Sequence, residues 1–142
     1  MRRIVHDLRP PTLDDLGLVG ALGERARQLS RGGLEASVEA PAALDTLPAA
    51  VEAAAYRIGS EALANSARHS GASSCVLALA VDGRALILRV VDDGRGIADG
   101  VPAGVGLASM RERAEELGGS LDVRVAAGGG TEVRATLPLG AP

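Results

Sequence analysis

Three short segments of this 142-residue chain hold residue types that could do chemistry. The first is Glu61-Ala62-Leu63-Ala64-Asn65-Ser66-Ala67-Arg68-His69. On a helix, Glu61 and Asn65 share a face, and Arg68 stays near the same stripe. A carboxylate, an amide oxygen and a guanidinium in one row could hold a hydrated Mg²⁺ and a phosphate chain. Mg²⁺ takes few protein oxygens and keeps several waters. Taken alone, the segment reads first as a solvated face with an ordinary Glu–Arg pair. The second segment is Asp92-Asp93-Gly94-Arg95-Gly96, directly after an apolar strand. An ionised carboxylate only accepts hydrogen bonds, so it can take one from an exocyclic amine such as that of adenine. The glycines let a flat ligand approach the backbone. Taken alone, this too is a common strand-ending turn. The third is Gly104-Val105-Gly106-Leu107, at the start of a helix. Unpaired N–H groups at a helix start attract anions, although a lone glycine pair there is a weak signal.

As a set the three segments say more than singly, and they fit neither common nucleotide motif. All 15 basic residues are arginine, so a P-loop lysine and a Schiff-base lysine are both excluded. The Gly104/Gly106 pair lacks the preceding strand and the third glycine of the dinucleotide fingerprint. The single Cys75 can make neither an internal disulfide nor a structural zinc site. A net charge of −3 argues against nucleic acid as a partner. No apolar run approaches the ~20 residues of a membrane span, and no signal peptide is visible. The sequence therefore suggests a soluble piece in a reducing compartment.

These segments need elements to position them. Residues 1–9 read as the end of a helix stopped by Pro10-Pro11. A second helix, capped by Thr12 or Asp14, would bury Leu16, Val19, Leu22, Ala26 and Leu29 and end at Gly32-Gly33. Leu34 to Ala40 reads as a short strand. Pro48 to His69 is the strongest helix, with Gly59 tolerated inside it at a cost of ~1 kcal/mol. Ser74 to Val81 and Arg84 to Val91 form a hairpin around Asp82-Gly83. Leu107 to Leu117 is a helix ended by Gly118-Gly119. Leu121 to Val125 and Thr131 to Leu137 form a last hairpin around Gly128-Gly129-Gly130. The order implies a two-layer α/β sandwich, a mixed sheet with helices on one face. Only Tyr56 is aromatic, so its core must be aliphatic.

The three segments resemble the N box and the two glycine boxes of the Bergerat ATP-binding fold shared by histidine kinases, gyrase-type ATPases, Hsp90 and MutL. Two stretches narrow the resemblance. They are Leu8-Arg9-Pro10-Pro11-Thr12-Leu13-Asp14-Asp15-Leu16-Gly17-Leu18 and Gly104-Val105-Gly106-Leu107-Ala108-Ser109-Met110-Arg111-Glu112-Arg113-Ala114. They are similar to short-lid histidine kinases paired with NarL-type response regulators. The resemblance covers nearly the whole chain. It implies that Asp92 reads adenine and that Asn65 ligates Mg²⁺. Glu61 would order the metal and phosphate region, with Arg68 near the phosphates. Gly94, Gly96, Gly104 and Gly106 would hinge a lid of Ile97 to Ala103, with Leu107 beside it, and Thr131 would support the adenine through water.

The resemblance further implies a tail of a dimerisation helix and linker over 1–12, then a catalytic and ATP-binding domain over 13–142. That domain would bind ATP or ADP with Mg²⁺. It would pass the γ-phosphoryl to a histidine on a dimerisation domain, in signalling to a NarL-type response regulator. His6 resembles a phosphoacceptor only superficially. It sits in what looks like the second dimerisation helix, whereas the acceptor belongs on the first. His69 reads as a helix-end residue, which a helix C-terminus favours in any case. The piece is expected to be a cytoplasmic monomer from a homodimeric kinase whose other parts could include a membrane anchor. An anti-sigma-type serine kinase of the same fold and a non-catalytic interaction module are the alternatives.

Overall fold

In the computed structural model, burial alternates along the strands. The inward series are Cys75, Leu77 and Leu79, then Leu86, Leu88, Val90 and Asp92, then Val133, Ala135 and Leu137. Described residues are 10–41, 44, 47–69, 72–94 and 105–140. The expected helix over 1–9, His6, Gly96, Gly104 and the lid 97–103 lie outside them, as does the side chain of His69.

The elements are α1 (Pro11–Ser30), β1 (Glu35–Glu39), α2 (Ala49–His69), β2 (Ser74–Asp82), β3 (Ala85–Asp92), α3 (Val105–Glu116), β4 (Ser120–Val125) and β5 (Thr131–Pro138). The five strands lie in the order β1-β2-β3-β5-β4. β1 runs parallel to β2 and every other neighbour is antiparallel, which makes the sheet mixed, as expected. The inward face packs on the helices through Leu22, Ile58, Leu63, Met110 and Ala114, all essentially buried. Each buried leucine contributes ~1.5–3 kcal/mol of transfer free energy, so the core holds without large aromatics.

Helix α1 differs from the expected pattern. It opens on Pro10-Pro11, where proline's missing N–H would be unpaired anyway, so Thr12 and Asp14 stand inside the first turn rather than capping it. Gly17 has φ 74° and ψ 176°, a left-handed break within the helix. The break rotates the buried stripe. Leu13, Leu18, Ala21, Leu22 and Ala26 face the core, while Leu16 and Val19 are 50% and 38% exposed. The hairpin turn also moves by one residue. Asp82 pairs with Ala85, so the loop is Gly83-Arg84. Gly83 is at φ 64° and no non-glycine residue described has positive φ, which is the II′ pattern.

Gly59 has a packing reason as well. A Cβ there would lie 2.9 Å from Leu22 Cδ2 and 3.0 Å from Leu77 Cδ1. The glycine lets α2 sit close between α1 and the sheet. The buried stripe Ile58–Ala62–Ser66 then meets the end of β3 where the second chemical segment begins.

Candidate functional site

The strand alternation that buries Leu86, Leu88 and Val90 also turns Asp92 inward, at 7% exposure. A buried carboxylate needs donors. Its Oδ1 accepts the backbone N–H of Gly94 at 2.9 Å and of Thr131 at 3.2 Å. Its Oδ2 accepts the hydroxyl of Ser66 at 2.8 Å. Ser66 is itself buried on α2, and its Oγ takes the thiol of Cys75 at 3.6 Å. Burial pushes that thiol up to about 11, against the opposing pull of the Ser66 hydrogen bond and with a small push from Asp92 and Asp93. Cys75 therefore keeps its proton at neutral pH. The donors run in one direction, Cys75 to Ser66 to Asp92.

Gly130 closes this centre from the other side. A Cβ there would run into the backbone carbonyl of Asp92, so only glycine lets β5 start beside the end of β3. It is the backbone N–H of Thr131 that reaches Asp92. The neighbouring Asp93 points the opposite way, as the strand period requires. Its carboxylate accepts the N–H groups of Ser74 at 3.0 Å and Ser73 at 2.8 Å, and the Ser74 hydroxyl at 3.1 Å. The two backbone N–H groups, Ser74 first, hold it below the usual carboxylate range. It thereby straps β3 to the start of β2.

The polar stripe of α2 also forms as its spacing implies. Arg68 Nη2 donates to Asn65 Oδ1 at 2.8 Å and to Glu61 Oε2 at 3.1 Å. Both members of the ion pair are solvent-accessible, so it contributes under ~1 kcal/mol. Such a pair can open readily for a ligand. Glu61 lies against the first turn of α3, where a Cβ on Gly106 would strike its Oε2. The first turn of α3 has no acid of its own, and Glu61 brings one from the neighbouring helix. Leu107, next to Gly106, is half-buried against the core.

Asp92, Gly94 and Thr131 thus form one hydrogen-bonded centre. Glu61, Asn65, Arg68 and Gly106 form another, and Ser66 sits beside Asn65 on the helix that joins them. Among the described residues no three His, Cys, Asp or Glu gather as a metal cage. The hard oxygens of Asn65 and Glu61 on one accessible stripe still suit Mg²⁺, which would take the rest of its shell from water and phosphate. Ser66, Cys75 and Gly130 carry no expected role from the motifs. A signal existed for Ser66, since a hydroxyl four residues after Ala62 on a buried stripe needs a partner. No helix of the described residues is long and apolar enough to cross a membrane.

Residues 50–141 match the family model described as histidine kinase-, DNA gyrase B- and HSP90-like ATPase. The chain is 38% identical to the sensor histidine kinase MctS of Rhizobium johnstonii over 147 residues, covering 99% of this chain and 32% of MctS. It is 36% identical to the sensor histidine kinase LiaS of Bacillus subtilis over 141 residues, covering 98% of this chain and 39% of LiaS. The chain thus spans about a third of the length of these curated relatives. Among solved structures it is similar to the blue-light activated histidine kinase EL346 of Erythrobacter litoralis. That match has a TM-score of 0.69 and 26% identity, and covers 84% of this chain and 42% of that one.

Proposed function

Since the chain belongs to the family of histidine kinase-, DNA gyrase B- and HSP90-like ATPases and is homologous to sensor histidine kinases, we propose that it binds ATP with Mg²⁺ and presents the γ-phosphoryl to a histidine on a separate dimerisation domain. One observation carries the nucleotide site. A carboxylate has about four lone-pair positions. Three on Asp92 are taken by Gly94, Thr131 and Ser66. The one left, on Oδ2, suits a single further donor, and the exocyclic amine of adenine supplies one. The 6-oxygen of guanine would set acceptor against acceptor, so the same carboxylate selects between the purines.

The remaining roles follow from the chemistry. Asn65 Oδ1 would ligate Mg²⁺ once Arg68 turns from it toward the phosphates. Glu61 would order that region from the start of α3. Gly94 and Gly106 would let the backbone close on the ligand, as would Gly96 and Gly104. Leu107 and Thr131 would flank the nucleotide. Bound Mg²⁺ neutralises phosphate charge, and the protein's part is positioning and charge stabilisation. As the bond from the γ-phosphorus to the leaving ADP oxygen breaks, an imidazole nitrogen of the acceptor takes its place. No lysine and no covalent nucleophile is needed.

In this reading 1–12 belong to a dimerisation-helix tail and linker and 13–142 to the catalytic domain. The domain is a cytoplasmic monomer from a homodimeric kinase, and a NarL-type response regulator is the downstream partner. Two sensor histidine kinase relatives favour it over an anti-sigma-type serine kinase. Calorimetry with ADP and Mg²⁺ tests it. Saturable heat is expected, together with no radiolabel on the chain itself after incubation with ATP. Absence of heat at high micromolar ADP supports a non-catalytic interaction module instead.

A further inference from the structure

The side of α2 opposite its buried stripe carries Tyr56, Arg57, Ser60 and Glu61. With Arg25 of α1 and Arg113 of α3 they line a groove of about 380 Å³. Three guanidiniums face it and all three arginines are half-buried, although the chain as a whole has a net charge of −3. The one carboxylate in the lining, Glu61, is already ion-paired with Arg68. The Ser60 hydroxyl is buried and, among the described residues, has no hydrogen-bond partner. Such a group is costly unless something fills its valence. The groove therefore suits an anionic, hydrogen-bonding occupant.

Two observations say which. Glu61 is shared between the groove and the stripe of Asn65 and Arg68, so the groove continues directly from the proposed phosphate end. The stretch Gly104 to Ala114, one of the two that carry the family resemblance, sends Ser109, Met110 and Arg113 into the groove, and the nucleotide site uses none of these three. We propose that the groove receives the acidic face of the helical domain bearing the acceptor histidine, seating its carboxylates among Arg25, Arg57 and Arg113 and bringing the histidine up beside Glu61. The proposal rests on the kinase reading above and adds the partner's chemistry and where it docks. The groove's volume accommodates a few side chains, so the partner helix lies over it rather than in it.

The test uses this chain with the acceptor-bearing domain of its kinase supplied as a second polypeptide. The double variant Arg57→Glu/Arg113→Glu should bind ADP–Mg²⁺ as the unmodified chain does, which also shows that it folds. Its phosphoryl transfer should fall at least about tenfold, because like charges would now face each other. Arg113→Gln should show a smaller loss. Added salt should raise the acceptor KM of the unmodified chain and hardly that of the double variant. Arginines placed on the acceptor helix should restore transfer to the double variant. Undiminished transfer in the double variant, with ADP binding intact, overturns the docking site alone. The docking site also falls if millimolar inorganic phosphate occupies the groove and protects it, or if the groove proves to be where two copies of this chain associate. Lack of ADP binding by the unmodified chain overturns the kinase reading and the docking site together.

Discussion

Replacing Asp92 with asparagine tests the nucleotide site most directly, because the structure fixes how the amide must sit. Two backbone donors, Gly94 N–H at 2.9 Å and Thr131 N–H at 3.2 Å, converge on Oδ1, so the amide oxygen must take that position. The NH₂ then occupies the place of Oδ2. Ser66 can adapt by turning its hydroxyl to accept. The adenine amine cannot, and donor would face donor. A hydrogen bond to a charged group contributes ~1.5–3 kcal/mol. Since ~1.4 kcal/mol is tenfold in affinity, ADP binding should weaken roughly ten- to a hundredfold. Asparagine is a cleaner probe than alanine, which would leave all three donors unpaired. Calorimetry with ADP–Mg²⁺ reads the affinity, and a thermal melt shows that the fold survives with a small loss. An ADP affinity within error of the unmodified chain's would refute the assignment of Asp92 to adenine.

Asn65→Ala should lose affinity with Mg²⁺ present but little with EDTA, and an equal loss in both would remove the metal-ligand role. Ser66→Ala leaves Oδ2 short of its buried donor, so both thermal stability and ADP affinity should fall, with partial rescue by threonine; unchanged ADP binding would make Ser66 purely structural. The Cys75 thiol is raised from 9.0 to about 11 by burial. The thiol form is the folded state's preference, so its contribution is whole below pH 9.0 and is lost as pH climbs toward 11. Urea melts should show a loss on the order of 2–3 kcal/mol across that window, scaled from ~1.4 kcal/mol per unit. Cys75→Ala should flatten it. A slope that survives the substitution would rule the thiol out.

The parts legible in the sequence were those set by period and by turn chemistry. Apolar runs bounded by turn residues gave β2, β3 and β5 nearly to the residue, and the Glu61, Asn65 and Arg68 stripe followed from helical spacing alone. What failed was long-range or depended on one dihedral. The stripe of α1 assumed an unbroken helix, yet Gly17 resets the phase and leaves Leu16 and Val19 outside. The hairpin turn slid to Gly83-Arg84 because the pairing partner of Asp82 is set by register, which local composition does not reveal. The donors of Asp92 come from α2, from Gly94 just past the strand and from the start of β5, and Cys75 and Gly130 join them only once the sheet order brings β2 and β5 to either side of β3. The groove of three arginines is likewise invisible in one dimension, since its lining is spread over residues 25 to 113.

The two adjacent aspartates that close β3 have an outcome for how the chain tolerates insertion and deletion. One faces the helices and the other clasps the outside of β2, so they are identical side chains in opposite duties. Adding or removing a single residue upstream in the strand would exchange them and would also turn Leu86, Leu88 and Val90 toward solvent. The pair therefore acts as a parity lock. Length changes in this hairpin should survive only at the Gly83-Arg84 tip, or in multiples of two.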